Sequence, residues 1–387
     1  MEKVALLKCE TYDVDLIESK LREGFELLGG RKFLRELIPL NSKVLLKPNL
    51  LSVEHKESPV VTHYAVFEAV IRVIKEYSNN IVFGDSPGFG DGRKAAEKCG
   101  LIDIAKKYDV QYVDFNEGIS VKLEKSLLCK TWTVAKAPYE ANVVITLPKL
   151  KTHAMAYFTG AIKNQFGCIP GTGKATWHTR MPKAENFCKM LLDLNSVVRT
   201  SFAIMDGIIA MEGNGPKSGS PYKLNTLIMG KSITAVDSTA VRLIGYDNPL
   251  DTPVLKEAYD CGYGAVLPDE IQVLGEKVEV LKAKNFQLCR NGGDFHFINP
   301  TVTNFLRELI APSPSLIPKK CISCGRCKEV CPENPKAIKM INKENKSYPQ
   351  WDMKKCIRCF CCQELCPVGA IETKQSTVGK LISKGKR

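Results

Sequence analysis

Residues 321–332 read C-I-S-C-G-R-C-K-E-V-C-P, and residues 356–367 read C-I-R-C-F-C-C-Q-E-L-C-P. Both runs obey one rule, Cys-x2-Cys-x2-Cys-x3-Cys-Pro, which is the bacterial spacing for [4Fe–4S] clusters. Three closely spaced thiolates wrap one face of an iron–sulfur cube. The fourth, set before a proline that turns the chain away, reaches the other cube. The first cluster is therefore expected on Cys321, Cys324, Cys327 and Cys366, and the second on Cys356, Cys359, Cys362 and Cys331. Zinc also takes soft thiolates. Zinc ribbons, however, pair two Cys-x2-Cys knuckles with four ligands in all, not two four-cysteine runs ending in Cys-Pro. Cys361 is a ninth cysteine here, a neighbour that tunes the potential or simply packs.

The runs form an internal repeat offset by 35 residues, each leading into Ala-Ile, at Ala337-Ile338 and Ala370-Ile371. Each half is expected to form a small hairpin and helix, the halves related by pseudo-two-fold symmetry. So small a module has almost no apolar core, so cluster binding supplies its folding free energy. The ferredoxin-type 2[4Fe–4S] domain is placed at 319–373. A stiff linker at 300–318, ending A-P-S-P-S-L-I-P, precedes it and a basic tail at 374–387 follows.

Charge is unevenly distributed. Residues 319–387 hold 16 Lys and Arg against 6 Asp and Glu, a net of +10 out of +13 for the whole chain. A cube with four thiolates is anionic, so part of this excess neutralises the clusters. The rest reads as a docking face for an acidic soluble redox partner protein, because complementary charge speeds encounter. Nucleic acid is the rival partner for a tail such as T-V-G-K-L-I-S-K-G-K-R. No aromatic-interleaved groove or reading motif accompanies it, so the tail reads as solvated and no nucleic-acid partner is expected. No apolar run reaches the ~18 residues of a membrane span. The opening M-E-K-V-A-L-L-K-C-E lacks the extended apolar core of a secretory signal. Sixteen cysteines then point to metal ligation in a reducing compartment, and so to a cytoplasmic location.

The first 110 residues alternate strand and helix signals and the middle is less regular, which predicts, over residues 1–299, an α/β domain with a mostly parallel sheet and helices on both faces. Apolar runs at Val4–Lys8, Lys43–Leu46, Asn80–Gly84, Val110–Phe115, Ala141–Leu147, Ser201–Ile209, Thr226–Gly230 and Ile271–Leu274 read as strands. Helical spacing appears over Asp15–Leu37, Asp91–Tyr108 and Asn186–Val198, from about Val236 to Leu243, and in H-Y-A-V-F-E-A-V-I-R-V-I-K-E-Y, which Thr62 would cap. Val121–Ala137 suggests a hairpin. Pro148–Arg180 has little periodicity and many special residues, as a functional loop region does.

Three polar constellations sit at strand ends, where open parallel sheets place ligands. The first is Lys47-Pro48-Asn49 with the loop reaching His63. The second is Gly84-Asp85-Ser86-Pro87-Gly88-Phe89-Gly90, whose backbone N–H groups suit a phosphate or carboxylate as well as a tight turn. The third, T-L-P-K-L-K-T-H followed by T-G-A-I-K-N-Q-F-G-C-I-P-G-T-G-K, gathers Lys149, Lys151, His153, Lys163, Asn164 and Lys174 around glycines. It reads as an anion site, against a solvated basic loop, with Asp206, Glu212 and Asp237 as acids opposite it. Cys168, in the glycine loop, is a candidate reactive thiol. Cys9, Cys99, Cys129, Cys188, Cys261 and Cys289 read as core thiols.

The combination K-P-N-L-L, V-T-H, G-D-S-P-G, L-P-K-L-K-T-H, K-N-Q-F-G-C-I-P-G and M-D-G-I resembles the family catalogued as domain of unknown function 362, over about residues 1–290. Members often carry a C-terminal two-cluster ferredoxin module. The resemblance implies an α/β domain in an iron–sulfur protein and leaves the substrate open. It draws attention to Lys47, Asn49, Asp85, Lys149, Lys151, His153, Lys163 and Asn164, which match its motifs.

The leading expectation is an iron–sulfur electron-transfer protein or oxidoreductase of anaerobic metabolism. It would pass single electrons through two [4Fe–4S] clusters between a soluble partner and a site in the α/β domain. Lys149, Lys151, His153 and Asp85 are the candidate catalytic residues. Lys47, Asn49, Ser86, Gly88, Lys163 and Asn164 are the candidates for holding a flavin or another anionic cofactor or substrate. The alternative is a non-catalytic ferredoxin-like carrier whose large domain is a docking module. A hydrolase built on Ser86 with His153 is disfavoured, since the serine lacks the nucleophile-elbow glycines and hydrolysis has no use for redox clusters.

Overall fold

The computed structural model describes residues 1–289 and 313–374, apart from 89, 172, 182, 332, 344 and 345. Residues 300–312 of the expected linker and 375–387 of the expected tail lie outside the described residues.

The large domain is built on one twisted sheet. Its strands are β1 (Glu2–Lys8), β2 (Val44–Pro48), β3 (Ile81–Phe83), β4 (Gln111–Tyr112), β7 (Val143–Leu147), β10 (Phe202–Glu212), β11 (Ser220–Gly230) and β12 (Ile271–Gly275). Before β7 comes a separate hairpin of β5 (Gly118–Lys122) and β6 (Thr131–Ala135). After it come β8 (Lys149–His153) and β9 (Tyr157–Thr159). The spatial order is β12-β1-β11-β10-β7-β2-β3-β4, with β8 paired to β10 and to β9. Along this order only β11 runs against its neighbours.

Successive residues of each strand supply opposite faces, as the period of two requires. Val4, Leu6, Leu45, Val144, Ala203 and Ile228 belong to one core, and Ala5, Leu7, Leu46, Ile145, Ile204 and Met229 to the other. Helices Val14–Leu28, Tyr64–Ile74 and Leu101–Lys107 cover the second core. Helices Ala184–Val198, Ile233–Ile244 and Pro253–Asp260, with the β5–β6 hairpin, cover the first. Burial on both faces explains why the inner strands are mainly apolar, with Lys47, Thr146 and Asp206 as polar exceptions.

Local chemistry sets the boundaries. Asp13 caps the first helix by accepting the Leu16 N–H at 2.8 Å. The amphipathic stretch Asp15–Leu37 is two helices, because Gly29 (φ 127°) and Gly30 (φ 63°) leave the helical region. Asp91–Tyr108 likewise breaks at Gly100 (φ 84°). Val110–Phe115 contributes only the two-residue β4. Thr62 does not cap the helix Tyr64–Ile74. His63 does, its ring accepting from Ala65 N at 3.2 Å. The Thr62 hydroxyl instead donates to Leu147 O (2.6 Å) and accepts from Asn49 N (2.7 Å).

The expected loop Pro148–Arg180 holds a buried hairpin and short helices. β8 has no exposed residue, since the long β10 extends past β7 and offers it a partner. In the small domain the strands pair between the halves, not within them. β13 (Ser313–Leu316) pairs with β16 (Ile371–Lys374), and β14 (Ile338–Lys343) with β15 (Lys346–Trp351). β13 lies within the stretch read as linker, so the module's pairing begins by Ser313.

Candidate functional site

β2 leads to β3 on one side and β7 leads to β10 on the other, although β2 and β7 are neighbours. This is a topological switch point, where strand ends leave a crevice. Lys47-Pro48-Asn49 and Pro148-Lys149 lie at it.

Two buried networks fill the region. In the first, Lys47 Nζ is 2.7 Å from Asp85 Oδ1, and Asp85 Oδ2 accepts the Leu50 N–H at 2.8 Å. Gly167 closes this pair, because a Cβ there would sit 2.0 Å from Asp85 Oδ1 and 2.9 Å from Lys47 Nζ. Beside it Lys151 Nζ donates to Asn49 Oδ1 and to Val60 O, both at 2.7 Å. Asn49 Nδ2 donates to Asn164 Oδ1 (3.1 Å), and Asn164 Nδ2 to Thr146 Oγ1 (2.8 Å). In the second network Lys149 Nζ donates to Asp206 Oδ2 (2.8 Å) and Tyr12 Oη (2.6 Å), and the Tyr12 hydroxyl donates to Asp206 Oδ1 (2.9 Å). Burial lowers the Lys149 ammonium, and Asp206 opposes the shift. The Tyr12 ring stacks on His63 at 3.5 Å. His63 Nδ1 accepts a backbone N–H, so its proton sits on Nε2, which faces Glu57 at 3.0 Å. Burial lowers the His63 pKa, against the hydrogen bond that Nε2 donates to Glu57.

The structure thus joins Lys47, Asn49, Asp85, Lys151 and Asn164, and places Lys149 in a separate cluster. His153 Nδ1 accepts the Met155 and Ala156 N–H groups, each at 3.0 Å, which holds a turn. The Lys163 ammonium lies over the Phe166 and Phe187 rings. Asp206 is the counter-ion of Lys149. Glu212 accepts the Gln287 N–H (2.7 Å), and Asp237 accepts those of Ala161 (2.6 Å) and Ile162 (3.0 Å). The solvated-loop reading of the third constellation is overturned by burial, with Lys149, Lys151 and His153 all under 3% exposed. Lys47 and Lys149 are engaged by carboxylates, which weakens the case for a free anion cradle. Cys168 is buried, its thiol pushed up to about 12 by burial.

A cleft of about 130 Å³ opens beside these networks, lined by Asp85, Ser86, Gly88, Tyr112, Asp114 and Asn116 among others. The small domain abuts it. The Leu365 side chain approaches Gly88 so closely that a Cβ there would be 3.4 Å away. Gln363 Nε2 donates to Asn214 Oδ1 (2.6 Å) and Gly215 O (3.3 Å), and Thr373 N to Asn214 Oδ1 (3.4 Å).

Within the small domain Cys321, Cys324, Cys327 and Cys366 line one cavity. Cys331, Cys356, Cys359 and Cys362 line a second. Among the described residues no three His, Cys, Asp or Glu side chains converge on one point as a single ion requires. Four thiols ringing a cavity suit a cube, which takes one thiolate per iron. Sequence reasoning missed Tyr12, Tyr112, Asn214 and Gln363. Each acts through a residue distant in the chain, and no local spacing marks it.

Residues 44–242 match the family model described as Domain of unknown function (DUF362), and residues 320–370 match a 4Fe-4S dicluster domain. A thylakoid-associated protein of Synechocystis sp. is 33% identical over 256 residues, covering 66% of this chain and 78% of its own. The lactate racemase apoprotein of Thermoanaerobacterium thermosaccharolyticum aligns over 60% of this chain and 55% of its own, at 12% identity and a TM-score of 0.40. A Thermotoga maritima protein aligns over 56% and 55%, at 13% identity and a TM-score of 0.35. Among the described residues no helix is long and apolar enough to cross a membrane.

Proposed function

Because the chain belongs to the DUF362 family and carries a 4Fe-4S dicluster domain, we propose that it is a two-cluster electron-transfer protein serving a small-molecule site in its own α/β domain. Cys321, Cys324, Cys327 and Cys366 would hold one [4Fe–4S] cluster, and Cys331, Cys356, Cys359 and Cys362 the other. When bound, the clusters supply one-electron steps. The chain's own residues do the rest. Gln363 and Leu365 seat the module on the α/β domain, and the Lys47–Asp85 and Lys149–Asp206 pairs fix the strand ends around the crevice.

The contact of Leu365 with Gly88 carries this reading, since it sets a residue next to the ligand Cys366 against the wall of the cleft. A free carrier has no need of such a contact. The cleft of about 130 Å³ is close to the ~150 Å³ that holds one benzene ring. That supports a small molecule over a three-ring flavin. The basic face around the clusters supports an acidic soluble redox partner, and the sixteen cysteines support a reducing, cytoplasmic setting.

Anaerobically purified protein should contain about eight irons and eight sulfides per chain and show a broad absorption near the visible blue that bleaches with dithionite. An iron content nearer four would sink the two-cluster reading. Mass spectrometry of the denatured supernatant then tests the small-molecule site. A co-purifying flavin would replace the small-molecule reading with a flavoenzyme.

A further inference from the structure

Ser86 lies three residues past the end of β3, in the loop that forms the cleft wall. Its hydroxyl oxygen accepts a hydrogen bond from Lys174 Nζ at 2.7 Å, and Lys174 Nζ also donates to Ile169 O at 2.8 Å. Lys174 is 7% exposed. The groups that face it are Asp85, Lys47 and Cys168. Asp85 is already matched by Lys47 at 2.7 Å, and burial keeps the Cys168 thiol protonated. Among the described residues no unshared carboxylate holds Lys174 charged. Burial accordingly lowers its ammonium to about 8, the range in which an amine can act as a base near neutral pH.

A hydroxyl donor stands ready in the same cleft. The Tyr112 oxygen is buried without a hydrogen-bond partner and lines the cleft with Ser86. Gly92 permits its approach, since a Cβ there would be 2.6 Å from Tyr112 Oη and 2.7 Å from the Asp85 carbonyl. Tyr112 Oη and the carbonyl of Asp85, the residue before Ser86, thus both pack against Gly92. Burial and the nearby Asp114, Asp85 and Asp91 raise the Tyr112 pKa, so it remains a donor.

We propose that Ser86 is a nucleophile with Lys174 as its general base, and that the cleft takes a short, uncharged acyl ester or thioester. Neutral Lys174 removes the Ser86 hydroxyl proton as Oγ bonds to the acyl carbon. Tyr112 donates to the carbonyl oxygen as it gains charge. The acyl–oxygen or acyl–sulfur bond breaks, and the leaving alkoxide or thiolate takes the proton from Lys174. Water, deprotonated in turn by Lys174, releases the acid and restores Ser86. Serine–lysine pairs are a recurring form of this chemistry. The cleft size limits the acyl group to about that of a benzene ring. Asp114 at the wall disfavours an anionic one. The expectation against a hydrolase concerned Ser86 with His153; the structure pairs Ser86 with Lys174 instead, and this acyl transfer is a second activity of the cleft that draws no electrons from the proposed clusters.

The test uses the full-length, cluster-loaded protein and a biotinylated fluorophosphonate, followed by mass spectrometry of the labelled peptide. Labelling is expected at Ser86, with a rate that rises through about pH 8 and is abolished in Ser86→Ala. Lys174→Arg keeps the positive charge but cannot act as a base, so labelling should fall at least about a hundredfold. Tyr112→Phe should slow it about tenfold or more. Iron content and visible absorption serve as folding controls and should be unchanged. Absence of label on Ser86 in the unmodified protein, or a rate flat between pH 6 and 10, overturns the proposal without any variant. So does a Lys174→Arg protein that labels at the unmodified rate.

Discussion

Asp237 sits fully buried with its carboxylate against the N–H groups of Ala161 and Ile162, and burial pushes it up to about 7 despite those bonds. The unfolded chain releases this proton near pH 4. Between about pH 4 and 7 the folded protein therefore holds a proton that the unfolded chain has lost. Stability should fall as pH rises through that window, by on the order of 1.4 kcal/mol per unit at most, and level off above it. Asp237→Asn should flatten this dependence, as read by denaturant midpoints across pH. Lys149 and Asp206 make a second residue-scale case. Removing one partner strands a buried charge, so Lys149→Met should cost about 3–5 kcal/mol, whereas the double change Lys149→Met with Asp206→Leu should recover much of it. A double-mutant cycle in urea measures both. The motif lysines were legible as a group but not in their roles. Lys149 and Lys151 alternate with Leu150 and look like an exposed basic stretch. Only the arrival of Tyr12 and Asp206 from distant segments makes that stretch an interior one.

At the scale of elements, cysteines of both runs line each cavity of the small domain, so each proposed cluster would draw on both runs. Cys366→Ala should remove the cluster that the first run holds, although the substitution lies in the second, and lower iron from about eight to about four per chain. Loss of the cluster on Cys356, Cys359 and Cys362 instead would refute the crossed assignment, and electron paramagnetic resonance of the reduced protein distinguishes the two. The cysteine spacing was fully readable because a cube imposes it locally. The partner of each strand was not. β13 and β16 meet only through the symmetry of the halves, and the four-residue β13 contains Pro314 and lies in the proline-rich stretch A-P-S-P-S-L-I-P, which reads as linker. Helix breaks at Gly29, Gly30 and Gly100 were also hidden, because periodicity continues across a glycine whose φ alone ends the helix. The β8–β9 hairpin escaped for a related reason, since its Lys, Thr and His residues are buried by β10 rather than by their own character.

For the whole molecule, the division of charge predicts how the proposed electron-transfer protein would meet a donor. Reduction by a small acidic flavodoxin should slow several-fold between 0.05 and 0.5 M salt, as screening shortens to about 4 Å. Reduction by a neutral viologen should not, and stopped-flow bleaching of the clusters compares the two. Gln363→Ala removes the bonds to Asn214 and Gly215. It should leave iron content intact while raising protease sensitivity at the Gly213–Gly219 loop. The alternation of strand and helix made the α/β architecture legible from apolar runs alone. The seat of the small domain was not legible, because Gln363, Asn214 and Gly88 carry no pattern that links them.

The helix Cys361–Glu364 is flanked by the ligand candidates Cys359 and Cys366, contains Cys362, and holds Gln363, which grips the α/β domain. Four residues make too short a helix to persist alone, so the proposed cluster is expected to hold its shape. An apoprotein would therefore leave the Asn214–Ser218 surface bare, and filling the cluster sites would cover it. Assembly then has an order, with iron first and docking second, and the uncovered loop is a mark by which a cell's proteases could recognise chains that iron never reached. Limited proteolysis before and after reconstitution with iron and sulfide should show cutting at that loop in the apoprotein alone.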